Sequence, residues 1–323
     1  MKYLRWQVFA LLGLFLLVGC GSGSLSQAQV SAEFVVPTAH SHPKGIVKGS
    51  DGNLWFTEFR GNKIGRITPQ GAITEFIVPI AGSEPNEIVA GPDGALWFTE
   101  LAGNKIGRIT TQGRITEFAV SHSKSWPLGI VAGSDGALWF TENLGRKIGR
   151  ITTQGKITEF PLPDNQGEPE EITKGADGAL WFTDARYNRI GRLTSQGKFT
   201  EFSIPTADSG VTSITSGTDK ALWFVEPGPN KIGRISLEGK FTEFDPPTPY
   251  SVPDAITTGS NGILWFTELY ANKIASITPQ GATTEVPIPT SDSGLGQLTM
   301  GDNSTLWFTE YGSDKIGRIT LSS

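Results

Sequence analysis

Cysteine and histidine are scarce in this chain of 323 residues, which contains one Cys and three His. A single Cys permits no intramolecular disulfide and excludes zinc or iron–sulfur sites built from several cysteines. Three His limit any histidine-based metal site to a small one. Lysine and arginine total 27 against 32 acidic residues, with no basic block. Nucleic acid is therefore not expected as a partner.

Short motifs of several enzyme classes are also absent. The sequence has no Gly-x-x-x-x-Gly-Lys-Ser/Thr loop, no His-Glu-x-x-His and no Gly-x-Ser-x-Gly. P-loop nucleotide binding, zincin chemistry and serine-hydrolase chemistry therefore have no support. Hydrophobic residues nevertheless make up 37% of the chain, and 40 Gly with 20 Pro indicate a folded protein with many turns.

The N-terminus has the pattern of an export signal. Lys2 and Arg5 precede an apolar run of eleven residues, which is too short to span a bilayer. Leu17-Val18-Gly19-Cys20 resembles a bacterial lipobox. We therefore predict a lipoprotein signal peptide at 1–19, lipidation of Cys20 and a flexible tether at 20–30; an ordinary signal peptide with an incidental Cys is the alternative. The mature protein is expected outside the cytoplasm, at the cell surface or in the periplasm, with a lipid anchor as its only membrane contact.

A unit of 42 residues repeats seven times. The triplet Leu-Trp-Phe marks it without insertion or deletion, starting at Leu54, Leu96, Leu138, Leu180, Leu222, Leu264 and Leu306. The first unit predicts strands at Gly45–Lys48, Leu54–Thr57, Lys63–Thr68 and Ile73–Ile77, because these segments are rich in Ile, Val, Thr, Trp and Phe. Four antiparallel strands at this period predict an all-β fold, a seven-bladed β-propeller.

The chain ends predict how the ring closes. The last unit stops after its third strand, and its missing fourth strand would carry Glu-Phe in the phase of Glu75-Phe76. Glu33-Phe34 has that phase, one repeat before the first unit. The N-terminal strand is therefore expected to complete the seventh blade of a single domain at 31–323, and we expect a monomer.

The links between blades vary in sequence, whereas the turns at the opposite rim are uniform. We therefore place any binding site at the rim with the links. The predicted ligand-binding residues are His42, Lys44, Glu84, Trp126, Glu168, Glu170, Asp254 and Tyr311. Glu87 and Glu171 are further charged residues expected around the same mouth. Carboxylates beside an imidazole suit acid–base chemistry or a divalent cation, and an exposed Trp suits stacking on a ligand ring. A varied, solvated loop surface is the alternative, and Trp126 would equally suit a plug of the channel or a cover for a blade edge.

One acid recurs after every Leu-Trp-Phe-Thr or its equivalent. The members are Glu58, Glu100, Glu142, Asp184, Glu226, Glu268 and Glu310. A ring of carboxylates suggests a metal site, but a residue present in every blade is more typical of a structural role. Each acid has a Lys or Arg five residues later, so we predict that the two form an ion pair.

The unit from Asp93 to Phe118, DGALWFTELAGNKIGRITTQGRITEF, resembles the virginiamycin B lyase family of propellers. The likeness runs through all seven blades, from about residue 32 to residue 323, and includes the split seventh blade. It implies an enzyme that opens a cyclic depsipeptide antibiotic by β-elimination at the ester bond, with Mg²⁺ as the cofactor.

The resemblance also implies where the reacting residues would lie. The family has a His after the Pro of blade six, where this chain has Asp254. Blade seven of the family carries Glu-Pro-His, where this chain has Gly294-Leu295-Gly296. A further family Glu corresponds approximately to Glu310, which makes Glu310 the candidate Mg²⁺ ligand. No residue is assigned a catalytic role, because both imidazoles are absent from these positions.

Three functional hypotheses remain. The leading one is a surface-anchored, lyase-like propeller that binds a small or peptidic ligand at the rim of the central channel. The second is a Mg²⁺-dependent carbon–oxygen lyase of the streptogramin B lyase type, acting on an unidentified ester, with His42 and Lys44 replacing part of the missing machinery. The third is a platform for protein interactions.

Overall fold

A computed structural model describes residues 28–163 and 165–321. The predicted signal peptide, Cys20 and most of the predicted tether lie outside these residues. The first strand begins at Ala28, three residues before the predicted start of the domain. None of the described residues belongs to a helix long and apolar enough to cross a membrane.

The described chain is built of short strands. In chain order they are β1 (Ala28–Val35), β2 (Pro43–Lys48), β3 (Leu54–Glu58), β4 (Lys63–Ile67), β5 (Ile73–Ile77), β6 (Pro85–Ala90), β7 (Leu96–Glu100), β8 (Lys105–Ile109), β9 (Ile115–Ala119), β10 (Pro127–Ala132), β11 (Leu138–Glu142), β12 (Lys147–Ile151), β13 (Ile157–Pro161), β14 (Pro169–Lys174), β15 (Leu180–Asp184), β16 (Arg189–Leu193), β17 (Phe199–Ser203), β18 (Ile214–Ser216), β19 (Leu222–Glu226), β20 (Lys231–Ile235), β21 (Phe241–Phe244), β22 (Pro253–Thr258), β23 (Leu264–Glu268), β24 (Lys273–Ile277), β25 (Thr283–Pro287), β26 (Leu295–Asp302), β27 (Thr305–Glu310) and β28 (Lys315–Leu321).

These strands form seven antiparallel, four-stranded sheets. Blade 1 is β2-β3-β4-β5, and the next five blades follow in chain order. The innermost strands of neighbouring blades pack against each other around the ring, and β2 of blade 1 meets β26 of blade 7. The structure therefore confirms the predicted seven-bladed propeller.

The repeated Leu-Trp-Phe triplet explains why the blades stack. In blade 1, Leu54, Trp55 and Phe56 are at most 1% exposed, because both faces of the second strand are covered. Trp55 packs with Leu96 and Phe98 of blade 2, so each core cluster lies between two blades. Gly65 faces the Phe56 ring so closely that a Cβ there would lie 2.1 Å from it. A side chain at that position would displace the buried ring.

The N-terminal strand closes the ring. β1 pairs antiparallel with β28, with Glu33 opposite Gly317 and Phe34 opposite Ile316. The Phe34 ring stacks on Trp307 with centroids 5.7 Å apart, in the arrangement of the Trp–Phe pairs of other blades. The N-terminal strand therefore completes blade 7 in the predicted phase, and the outer edge of β28 is paired.

Candidate functional site

Strand register separates two rims. Pro43 pairs with Glu58 and Lys63 with Ile77 at one end of blade 1, so the links between blades lie at this end, which we call the loop rim. Lys48 pairs with Leu54 at the other end, where the Asp-Gly and Gln-Gly turns lie; we call it the turn rim. All eight predicted ligand-binding residues lie at the loop rim. They belong to the links, to the first strands of the blades, or to the loops between second and third strands.

The turn rim is stabilised by its own charges. In blade 2, Asp93 accepts hydrogen bonds from Trp97 Nε1 at 3.1 Å and from Arg108 Nε at 2.7 Å. Burial opposes ionisation of Asp93, but these two donors hold its pKa below the usual value. Blades 3, 4 and 5 repeat the arrangement. The uniform turn residues therefore have a structural role, as the sequence suggested.

The repeated acids at the ends of the second strands form a second charged set, the outer acid ring. Its members, Glu58, Glu100, Glu142, Asp184, Glu226, Glu268 and Glu310, are all 0% exposed. Burial, together with the neighbouring carboxylate of Glu75, raises the pKa of Glu58 to about 8. Burial likewise raises the pKa of Glu100 and of Glu310 to about 7. These glutamates are therefore substantially protonated near neutral pH.

The predicted ion pairs of the outer acid ring are wrong in six blades. In blade 1, Lys63 Nζ lies 2.7 Å from Glu75 Oε2, on the fourth strand, instead of pairing with Glu58. The physical reason is solvation: Lys63 and Glu75 keep 23% and 16% of their side chains exposed, whereas a pair with Glu58 would be fully desolvated. Only Asp184 forms the expected pair, with Arg189 Nε at 2.8 Å from its Oδ2.

A different set of acids faces the central channel. Glu87, Glu170, Glu171 and Asp254 lie on the innermost strands of blades 2, 4 and 6, and we call them the channel acids. All four are half-buried. Lys44, on the innermost strand of blade 1, interacts electrostatically with every one of them. Side chains from four blades therefore face one common space.

Burial and mutual repulsion perturb the channel acids. Burial raises the pKa of Glu171 to about 7; Lys44 opposes this rise and Asp254 adds to it. Burial and the Glu171 carboxylate raise the pKa of Glu170 to about 7, and the same two causes place the pKa of Glu87 well above its usual range. Burial also raises the pKa of Asp254, against the effect of Lys44.

The channel acids have no protein partner of opposite charge in contact. Within residues 28–163 and 165–321, none of the four carboxylates takes part in a side-chain hydrogen bond or a salt bridge. The Lys44 ammonium instead lies 5.2 Å from the centroid of the Phe59 ring. One lysine thus faces four carboxylates without forming an ion pair with any of them.

The structure brings only some of the predicted site residues together. Lys44, Glu170 and Asp254 share the channel. His42 contacts Tyr311 across the seam between blades 1 and 7, with ring centroids 4.4 Å apart, and its amide donates to Asp314 Oδ1 at 2.9 Å.

The other predicted residues occupy the periphery of the loop rim. Glu84 forms a salt bridge with Arg60 and Glu168 one with Arg186. Trp126 is 43% exposed and adopts a positive φ of 55° in its link. The two glutamates are therefore neutralised, unlike the channel acids.

Glu87 and Glu171, which the sequence also places at the loop rim, belong to the channel. They stand two residues after the link Pro, where blades 1, 3, 5 and 6 have Gly, Gly, Ser and Ala. That departure from a small residue is the signal that identifies them.

The residues present do not fit the Mg²⁺ site that the resemblance implies. Among the described residues, no group of three or more His, Cys, Asp and Glu is arranged to hold a metal ion. Glu310 is fully buried, and its Oε2 accepts a hydrogen bond from Ser313 Oγ at 2.8 Å.

The glycines of blade 7 leave no room for the family's side chains. A Cβ on Gly296 would lie 2.5 Å from Thr309 Oγ1, and one on Gly294 would lie 2.7 Å from the Gly312 nitrogen. Gly294 also has a positive φ of 60°. A side chain at Gly294 or Gly296 would therefore require neighbouring atoms to shift.

Comparison with known proteins agrees with the geometry. The model of the virginiamycin B lyase family matches residues 22–178 and 164–323. The selenomethionine-substituted virginiamycin B lyase of Staphylococcus aureus is 44% identical, with a TM-score of 0.87 over 92% of this chain and 100% of that one. A catalytically inactive histidine-to-alanine variant of the same enzyme, solved with quinupristin, gives the same identity, TM-score and coverage.

A second lyase structure supports the same relationship. A streptogramin B lyase is 40% identical, with a TM-score of 0.86 over 90% of this chain and 97% of that one. The match extends over both halves of the propeller and covers the split blade. This chain belongs to the virginiamycin B lyase family.

Proposed function

We propose that this propeller is a binding protein whose channel, at the loop rim, takes a small or peptidic ligand carrying a positive charge. The observation that carries the proposal is the set of channel acids, Glu87, Glu170, Glu171 and Asp254, which face a single lysine without ion pairs. Half-buried carboxylates that repel one another are costly unless they are protonated or neutralised. A cationic ligand would neutralise them.

The surroundings of the channel suit a ligand with apolar parts. His42 and Tyr311 pack together at the seam, and Phe59 lies 6.4 Å from Tyr311, measured between ring centroids. Aromatic rings at the edge of a polar cavity give a ligand apolar contact area while the charged groups fix its orientation. A relative solved with quinupristin supports a peptidic ligand for the family's propeller.

Binding without elimination is favoured because the family's two imidazole positions do not hold histidine in this chain. Removal of an α-proton requires a base near the ligand, and loss of such a base costs orders of magnitude in rate. The family's imidazole positions hold Asp254 and Gly296 here, and the latter has no space for a side chain. The absence of a fitting donor set for Mg²⁺ supports the same interpretation.

A carbon–oxygen lyase is the second candidate, because one imidazole remains beside blade 7. The ring of His42 contacts Tyr311, and its Nδ1 is buried without a hydrogen-bond partner among the described residues. An imidazole in this position would act as a base if a ligand reached it. Elimination on an ester would then leave an unsaturated product.

The lipid anchor is also proposed. The family match begins at residue 22, so Cys20 and the preceding segment stand outside it. A lipidated Cys20 would hold the propeller at a membrane surface through its acyl chains. Metabolic labelling with palmitate is expected to label the parent and not a Cys20→Ser variant, which would appear in the soluble fraction. Equal labelling of both would contradict the anchor.

Calorimetric titration tests whether binding requires a positive charge on the ligand. The probes are trilysine amide and its fully acetylated form, which differ mainly in charge. The parent is expected to bind the charged form, and Glu171→Gln with Asp254→Asn should weaken binding by about tenfold or more. Glu84→Gln is the matched control, because Glu84 is paired with Arg60 at the same rim. Equal binding of both probes would contradict a cation site.

Incubation with a streptogramin B, with and without Mg²⁺, separates binding from elimination. Ring opening by elimination leaves the mass unchanged, so retention time and fragmentation must be compared. The binding proposal predicts an unaltered compound. An unsaturated product that is formed by the parent and not by His42→Ala would favour the lyase. Binding of a folded protein to the loop rim, without binding of either small probe, would favour an interaction platform.

A further inference from the structure

We propose that a second binding site lies on the turn rim, between blades 3 and 4, and that it takes an uncharged ring bearing hydroxyl groups, of the kind found in carbohydrates. The site is a crevice of about 460 Å³ on the opposite end of the propeller from the channel acids. Its floor includes Trp139, Leu180 and Leu193, and its sides include Ser134, Ser195 and Gln196.

The crevice exists because the contact that closes other blade interfaces is absent here. At the turn of blade 3, a Cβ on Gly155 would lie 2.2 Å from the Phe118 ring of blade 2. At the turn of blade 4, the equivalent distance from Gly197 to Phe160 is 3.9 Å. Phe160 is also tilted 29° from Trp139, whereas the stacked Trp–Phe pairs of five other blades differ by 13–20°. The Phe160 side chain on the outermost strand of blade 3 therefore lies farther from the turn of blade 4 than its counterparts lie from theirs.

A hydrogen bond that joins blades 1 and 2 has no counterpart between blades 3 and 4 among the described residues. Between blades 1 and 2, Ser50 Oγ donates to the Gly94 carbonyl at 2.7 Å. The equivalent residues of blades 3 and 4 are Ser134 and Gly178, and no such bond joins them among the described residues. Ser134 therefore presents an unused hydroxyl to the crevice.

Two more side chains at the crevice have unused hydrogen-bonding capacity. In blade 3, Gln154 Nε2 donates to Thr153 Oγ1 at 2.7 Å. The equivalent pair in blade 4 is Gln196 and Ser195, and neither side chain makes a hydrogen bond within the described part of the chain. Hydroxyl and amide groups that both donate and accept match the hydroxyls of a ligand.

The charges around the crevice select against an ionic ligand. Asp177 Oδ2 lies 2.6 Å from Arg192 Nη2, and Asp135 Oδ2 lies 2.7 Å from Arg150 Nε. Each acid is balanced by one guanidinium, so no excess of either sign remains. Trp139 and Leu180 keep 6% and 5% of their surface exposed, which gives the C–H face of a ring a small apolar contact bordered by neutral polar groups.

Saturation-transfer NMR tests the site with neutral hexasaccharides of glucose, mannose, galactose and N-acetylglucosamine. At least one is expected to bind, with an affinity that does not change between about 0.05 and about 0.5 M salt, because no charge is involved. Gln196→Ala should weaken binding by about tenfold, the loss of one or two hydrogen bonds. Ser195→Trp, which fills the crevice, should abolish it.

Matched variants on blade 3 are the controls. Gln154→Ala and Thr153→Trp change the same positions on a turn that is closed, so binding should persist. The channel variant Glu171→Gln should also leave it unchanged, which keeps this test separate from that of the proposed function. Failure of all four glycans to bind would overturn the proposal. Unchanged binding in Gln196→Ala and Ser195→Trp, both with the parent's melting temperature, would overturn it as well.

Discussion

The loop rim carries two sets of carboxylates that differ in repetition, burial and partners. The outer acid ring recurs in every blade and is fully buried, as Glu58 is, beneath the links and loops. The channel acids come from three blades, are half-buried and have no ion-pair partner within residues 28–163 and 165–321. Burial raises the pKa in both sets, as for Glu58 and Glu171, yet only the second set lies on the innermost strands of the blades. Repetition here marks the scaffold, and departure from the repeat marks the candidate site.

Removal of β1 is expected to perturb the outer acid ring most. Deletion of Ser31 to Pro37 removes Glu33, which interacts with Glu310, and the Phe34 ring on Trp307. Loss of the strand opens the edge of blade 7 and exposes apolar side chains worth roughly 1.5–3 kcal/mol each. Urea unfolding should show loss of the cooperative transition. Deletion of residues 21–27 is the control, and parent-like unfolding of the β1 deletion would contradict closure by this strand.

Asp184→Asn should cause the next largest loss. Asp184 is the one member of the outer acid ring with an ion pair among the described residues, and Arg189 would lose this buried partner while keeping its salt bridge with Glu201. Breaking a buried pair on one side costs about 3–5 kcal/mol, and because Glu201 remains we expect a loss of about 3 kcal/mol. We expect this loss at both pH 5 and pH 8.5, by urea unfolding. Glu226→Gln, the equivalent change in the next blade, removes no ion pair and should cost little; equal losses would show that the two blades do not differ.

Glu58→Gln should change the pH dependence of stability. The folded-state pKa of Glu58 is raised to about 8, so its contribution to stability is complete below about pH 4.5 and is lost as the pH rises through 8. The variant cannot ionise, so between pH 5 and pH 8.5 it should lose on the order of 3 kcal/mol less than the parent. Urea unfolding at the two pH values measures the difference, and parallel profiles would contradict a protonated Glu58.

The smallest loss of stability is expected in the channel. Glu171→Gln removes one of several carboxylates that repel each other, and burial raises the pKa of Glu171 to about 7. The variant should therefore be at least as stable as the parent at pH 7. Affinity for a cationic probe should nevertheless fall, and its rise with pH should weaken, because Glu171 ionises near pH 7. Calorimetry from pH 6 to pH 8.5 measures this. A large stability loss with unchanged affinity would place Glu171 in the scaffold instead.

Much of the fold was predictable from the sequence because the repeat fixes it. The interval of the Leu-Trp-Phe triplets determined the blade number, and the phase of Glu33-Phe34 determined the closure at β28. The first strand of blade 1 begins at Pro43, two residues before the predicted start. Such limits depend on local pairing, which periodicity does not specify.

The candidate site was predictable only in part. Position within a link identified Lys44, Glu170 and Asp254, which the structure brings to one channel. It did not show that Glu84 and Glu168 are neutralised by Arg60 and Arg186, because those partners come from loops of other strands. Nor did spacing reveal that Lys63 prefers Glu75 to Glu58, a choice set by solvation.

The most direct test of the account is the number of protons released when trilysine amide binds at about pH 7, measured by calorimetry in buffers of different ionisation enthalpy. Glu170 and Glu171 are partly protonated at this pH, and a bound cation favours their ionised form. We predict proton release in the parent and in Glu58→Gln, and a reduced release in Glu171→Gln with Asp254→Asn. Binding with no proton release, or release that depends on Glu58 and not on the channel acids, would contradict the account.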